Sequence, residues 1–135
     1  MKRSESEPIF VFTEAQVAAK SALASAFIGH RSRLNAVVDA ADNKLVKRFY
    51  NVDHNTYLEG SLSAQMKELM GLVASLSLRC DDCVSYHVIQ AYRLGIPREQ
   101  VEESMNVAMV VGGSITIPHL RRAYDLLAEL YADAQ

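Results

Sequence analysis

Cys80-Asp81-Asp82-Cys83-Val84-Ser85-Tyr86-His87 is the stretch around which this chain is organised. It holds both cysteines of the 135 residues, three positions apart, and a histidine four positions after the second. On a helix, at about 100° per residue, Cys80, Cys83, His87, Ala91 and Leu94 share one stripe. The sulfurs are then one turn apart, within the Cα separation a disulfide needs. His87 lies within i, i+4 reach of Cys83. Asp81 or Asp82 starts the helix, and Gly95 stops it after Leu94.

A cysteine acts as a nucleophile through its thiolate, which an unperturbed thiol supplies sparingly at neutral pH. The helix N-terminus favours negative charge at Cys80, while His87 can take the proton of Cys83, directly or through a water. These two arguments point to different attacking cysteines. Asp81 and Asp82 oppose a thiolate at either position. A third group holding the tautomer of His87 would complete a relay, and Glu68 on the preceding helix is a candidate.

Outward from this stretch the periodicity is helical. Ser61 or Ser63 caps a helix running to about Leu78. Its apolar positions Leu62, Met66, Leu69, Met70, Val73 and Leu76 form one stripe, and Ala64, Glu68, Gly71 and Ser75 a second, smaller one. Small residues at that spacing admit a close neighbour, which places Glu68 between helices. Pro97 opens a further helix with Glu99 in its first turn; Val101, Met105, Ala108 and Met109 are its core face and Gly112-Gly113 its end. Ser114 starts the last helix, with Leu120, Ala123, Tyr124, Leu127 and Tyr131 inward and Pro118 near its first turn.

Before residue 57 the pattern is less regular. Met1 to Pro8 reads as a frayed terminus, and Ile9-Phe10-Val11-Phe12 as an apolar arm packed on the helical body or on another subunit. Thr13, with Gln16 at the capping-box position, begins a helix to about Ile28 that Gly29-His30 breaks or bends. Leu34, Val37, Val38, Ala41, Leu45 and Phe49 follow the spacing of a buried helical face. Asn51 to Gly60 reads as turns, with Asp53 capping a short helical turn, so His30 and His54 fall in loops. The expected fold is all-α: about six helices in a compact array, 1–135 forming a single domain with 1–12 as its N-terminal arm.

Composition narrows the function classes. A formal charge of −2 offers no electrostatic footprint for nucleic acid or an anionic membrane. No apolar run has the length of a membrane span, and the charged start is not followed by a signal-peptide core. The expectation is a cytoplasmic protein, where a CxxC serves redox or metal chemistry rather than a disulfide framework.

Glu68, eleven residues, Cys80-x-x-Cys83, three residues, His87: this constellation resembles the CxxC-containing redox branch of the alkylhydroperoxidase D-like (carboxymuconolactone decarboxylase) superfamily. Lys67-Glu68-Leu69, Ser75 to Cys80, Gly95-Ile96-Pro97-Arg98-Glu99 and Gly112-Gly113 extend the likeness over residues 57–130. The resemblance implies an all-α homo-oligomer, a trimer or hexamer, that reduces a peroxide or small disulfide. It implies Glu68, Cys80, Cys83 and His87 as catalytic residues. Cys83 would attack with His87 and Glu68 as its relay, Cys80 would resolve, and an external dithiol reductant would reset the disulfide. No cofactor or metal beyond the Cys80–Cys83 dithiol is implied. One departure is Asp82, where a well-known peroxidase of this superfamily has histidine between the cysteines.

Two alternatives belong beside this expectation. One is a lactone decarboxylase-like lyase on the same fold, a branch that does not rely on a CxxC. The other is a non-enzymatic redox-sensing or metal-binding oligomer, with Cys80, Cys83 and His87 as zinc ligands and Glu68 or His119 as the fourth. Tyr86 and the methionines at 66, 70, 105 and 109 are expected to be packing residues.

Overall fold

The structure, a computed structural model, describes residues 5–133; of the segment expected to fray, Met1 to Ser4 lies outside the described residues. Among those residues the order is α1 (Glu14–Lys20), α2 (Ala22–Ala40), α3 (Lys44–Thr56), α4 (Ala64–Ser77), α5 (Asp81–Arg93), α6 (Arg98–Gly112), a 3-10 turn (Ser114–Thr116) and α7 (Ile117–Leu130). The all-α expectation holds, with seven α-helices in place of about six. The extra helix comes from the first half, where two boundaries differ from the periodicity.

Thr13 and Gln16 form the expected capping box. The break then falls at Ser21, not at Gly29. The extended backbone of Ser21 ends α1 and caps α2, its side chain accepting from the Ala24 N–H at 3.0 Å. Its hydroxyl donates to Glu129 on α7 at 2.8 Å, which holds the corner against the body. Nothing presses on Gly29, and α2 runs through it, taking His30 into a helix. The next break is Asp42, at φ 52°, followed by Asn43 as the N-cap of α3. Residues 51–56, expected as turns, continue α3 and carry His54.

The stripe expected to be buried along α2 and α3 is not covered within one chain. Val37, Leu45 and Phe49 are 61%, 71% and 69% exposed, and no residue of α3 is buried. Periodicity reports a face that prefers to leave water, not the surface that covers it.

The core lies where α4 packs on α5 and α6, and α7 closes it against α5. Leu72, Leu76, Val88, Val101, Met105, Leu127 and Leu130 are fully buried, each contributing about 1.5–3 kcal/mol by leaving water. On α4 the small stripe is buried at Ala64, Glu68 and Ser75, and the apolar stripe is divided: Leu76 is fully buried and Leu69 and Val73 pack against the core, whereas Met66 and Met70 are exposed. The expectation of core packing fails for those two methionines and holds for Met105, while Met109 is half-buried. Short side chains let α5 come close to α4 along the small stripe.

Within the arm Phe10 and Phe12 pack on the body, whereas Ile9 and Val11 are exposed. The Val11 and Phe12 N–H groups donate to the Arg93 carbonyl at 2.7 and 3.2 Å. Phe12 stacks on Tyr92 with ring centroids 4.7 Å apart, and the Arg93 guanidinium covers Phe10 at 4.0 Å. Gly95, at φ +77°, ends α5 where a Cβ would stand 3.0 Å from Val11. Residues 5–8 are held rather than frayed: Ser6 bridges to Glu59 and Glu7 pairs with His54 at 2.8 Å.

Candidate active site

The link from α4 to α5 is one tight turn. Arg79 adopts left-handed backbone at φ 62°, and the Cys80 N–H reaches back to the Ser75 carbonyl at 3.0 Å, a helix-ending pattern usually built on glycine. Cys80 is therefore the N-cap of α5 rather than part of its helical stripe, and its Sγ accepts from the Cys83 N–H at 3.3 Å. Cys80 and Cys83 are joined as a disulfide with Cα atoms 5.3 Å apart. Cys83 is exposed and Cys80 is half-buried.

This tight turn brings α4 and α5 together face to face. Glu68 and His87 are 3% and 7% exposed, and His87 Nδ1 lies 2.6 Å from Glu68 Oε2. With the carboxylate ionised, Nδ1–H donates and Nε2 keeps a lone pair for another proton. The imidazole fits because position 71 is glycine. A Cβ there would stand 2.6 Å from His87 Cε1 and 2.8 Å from both Nε2 and the Tyr57 hydroxyl. Tyr57 and Tyr86 flank the imidazole, with centroids 5.5 and 5.3 Å away. Burial, then the charge of Glu68, raises the Tyr57 hydroxyl above its ordinary range, and the same causes push Tyr86 up to about 12. Both phenols therefore stay protonated beside the dyad at neutral pH.

A cleft of about 340 Å³ opens over Cys83 and His87. Its far wall comes from α2 and α3: Phe27, His30, Arg31, Leu34, Asn35 and Asp53. Asp82 also lines it, whereas Asp81 turns away. Asp81 accepts from His119 Nδ1 at 2.7 Å and from Arg122 at 3.2 Å, which ties α7 to the start of α5 and offsets one of the two carboxylates beside the cysteines.

Glu68, Cys80, Cys83 and His87 thus meet in one place. His119, weighed as a further ligand, binds Asp81 instead. Among the described residues no group of three or more His, Cys, Asp or Glu is arranged to hold a metal ion. Tyr57, Arg31, His30 and the role of Gly71 escaped the sequence argument. Gly71 had a visible signal, its place in the small stripe with Glu68. The α2 wall had none, because nothing local to it refers to Cys83.

The fold and the site define an all-α protein with a CxxC dithiol at a helix start, overlooked by a buried histidine–carboxylate pair. The chain belongs to the carboxymuconolactone decarboxylase family, whose profile matches residues 43–126. It is 47% identical to a Thermotoga maritima protein seen in two crystal structures. These superpose with TM-scores of 0.76 and 0.75, covering 79% and 78% of this chain and 94% and 90% of theirs. That protein is described as a family member with a suggested part in an antioxidative response. A Legionella pneumophila family protein, in its apo form, shares the fold at 20% identity and a TM-score of 0.72, covering 78% of this chain and 95% of its own. An uncharacterised protein of Cupriavidus necator is 40% identical over 55 residues, 41% of this chain. The match spans about half, 49%, of that relative. No helix among the described residues is long and apolar enough to cross a membrane.

Proposed function

We propose that this chain is a thiol oxidoreductase that reduces a peroxide or a small disulfide through a Cys80–Cys83 cycle. The buried 2.6 Å contact between His87 and Glu68, beside a cleft that reaches Cys83, is the observation that carries this reading. Cys83 is the more exposed residue of the two, which supports it as the attacking group, with Cys80 resolving. In the peroxide reaction the Cys83 thiolate takes the distal oxygen, the O–O bond breaks, and the alkoxide leaves with a proton from the His87 side. The Cys80 thiol then attacks the sulfenic sulfur, water departs and the disulfide closes. An external dithiol returns two electrons and two protons. In the reduced enzyme, Nε2 of His87 accepts the Cys83 proton, directly or through a water, while Glu68 stabilises the imidazolium. The antioxidative description of the Thermotoga maritima relative is in keeping with this cycle, and a reducing compartment such as the cytoplasm would supply the dithiol.

We further propose a homo-oligomer. The bare apolar faces of α2 and α3, and a second one at Met66, Met70, Val107 and Val111 on α4 and α6, support association. Peroxide consumption with a synthetic dithiol should be abolished by Cys83→Ser. Turnover retained in that variant, or stoichiometric zinc in protein purified under reducing conditions, would sink the cycle. A monomer by light scattering at micromolar concentration would refute the assembly.

A further inference from the structure

Arg31 stands out on the wall of the Cys83 cleft. Its guanidinium lies over the Tyr86 ring, 4.6 Å from the centroid, and Tyr86 sits one turn after Cys83 on α5. Among the described residues Arg31 makes no ion pair, which it shares with Arg33, Arg48, Arg79 and Arg121, but of these it is the one that lines the cleft. It is exposed. Stacking on a ring holds a guanidinium flat and leaves the edge donors of its fork unspent. Beside it the cleft offers two apolar walls, Phe27 and Leu34.

We infer that Arg31 makes this cleft selective for electrophiles that carry a carboxylate on an apolar body, a hydroperoxide or disulfide of that type; the inference rests on the thiol oxidoreductase reading of Cys83. A carboxylate matches the planar fork in two hydrogen bonds, the apolar body lies along Phe27 and Leu34, and the reacting atom is left facing Cys83. Asp53 and Asp82 line the same cleft, so its overall field does not favour anions. The preference comes from Arg31 itself, and without Arg31 the remaining carboxylates turn it into a disfavour.

Two aromatic disulfide probes test this without any need for peroxidase turnover. 5,5′-Dithiobis(2-nitrobenzoate) carries two carboxylates, and 2,2′-dithiodipyridine carries none. With either, the Cys83 thiolate attacks one sulfur, the S–S bond breaks and one aryl thiolate leaves. Cys80, losing its proton to solvent, then displaces the second, so the dithiol is oxidised by two electrons and two chromophores are released. Stopped-flow rates on the reduced full-length chain give the ratio of anionic to neutral probe, in which general changes in thiol reactivity or folding cancel.

Arg31→Gln should lower that ratio about fivefold, the effect of one exposed charge-assisted contact. Arg31→Lys should restore part of it, and the ratio in the unaltered protein should fall in strong salt. A ratio that moves less than twofold in Arg31→Gln, while the neutral probe still reacts faster than with free cysteine, overturns this inference alone. A neutral probe that reacts no faster than with free cysteine at the same pH overturns the oxidoreductase reading, and this inference with it.

Discussion

Gly71→Ala adds one methyl group to α4 at the point where α5 presses closest. The methyl carbon would stand 2.6 Å from His87 Cε1, while ordinary contact begins at 3.4 Å, so the imidazole must retreat by about 0.8 Å. Glu68 is on the same helix as Gly71, so a retreat from α4 is also a retreat from Glu68. The Nδ1–Oε2 contact would stretch from 2.6 Å to about 3.4 Å, beyond the range of a normal hydrogen bond. Losing a buried bond to a charged group costs about 1.5–3 kcal/mol, equivalent to about one to two pH units of proton affinity. Part of that loss reaches Cys83 through the imidazole. The rate of Cys83 alkylation at pH 7 should fall about tenfold, with the pH–rate curve displaced upward. The fold should survive, because crowding costs about 1–3 kcal/mol and alanine returns about 1 kcal/mol of helix propensity over glycine. The assay is iodoacetamide labelling of the reduced protein from pH 5 to 10, each cysteine followed separately by mass spectrometry. A folded Gly71→Ala protein whose Cys83 curve superimposes on that of the unaltered chain would refute the argument that this glycine positions the relay.

Glu68→Gln and His87→Ala should each displace the same Cys83 curve upward; curves unchanged by both would remove the relay from the mechanism. Tyr86 should ionise near pH 12, read as the difference in ultraviolet titration between the unaltered protein and Tyr86→Phe. Its folded value is raised, so its contribution to stability is complete below pH 10 and is lost as the pH climbs towards 12. Arg79→Gly should raise the melting temperature by about 2–4 °C, because glycine accepts the left-handed backbone at φ 62° at less cost than arginine does; an unchanged or lower value would count against strain at this turn. The Leu23 N–H and the Ser21 hydroxyl hold the Glu129 carboxyl below its ordinary range. Its folded value is depressed, so its contribution is present above about pH 4.5 and is lost as the pH falls further. Glu129→Ala should therefore unfold more readily at pH 7, with a shallower decline in acid, as followed by circular dichroism.

Much of the candidate site was legible because it is written in short spacings. Cys80, Cys83 and His87 lie within two turns of one helix, and helical geometry alone brings them near one another. Thr13, Ser63, Gly95 and Gly113 mark helix ends through bonds to their near neighbours, and these boundaries agree with the structure. Ser21 caps through a near neighbour too, but what fixes the corner at this serine is its bond to Glu129, 108 positions away. The stripe through Val37 and Phe49 is not covered for a different reason. A periodic apolar face shows that burial is favourable, but the covering surface need not belong to the same chain.

The helix-forming pattern of 64–130 and the dithiol beside its histidine arise from interactions within a few residues, and these are decided locally. Which residues of α4 are covered is not local. Both stripes have the right period and both contribute buried residues, and how closely α5 can approach is decided by the small side chains at 64, 71 and 75 only when that helix is present. The same close packing joins Glu68 to His87 across 19 positions, holds the imidazole against Gly71, and sets the α2 wall with Arg31 over a cysteine more than fifty residues further along the chain. Contacts of that range come from burying the shared core, and no spacing in the chain encodes them.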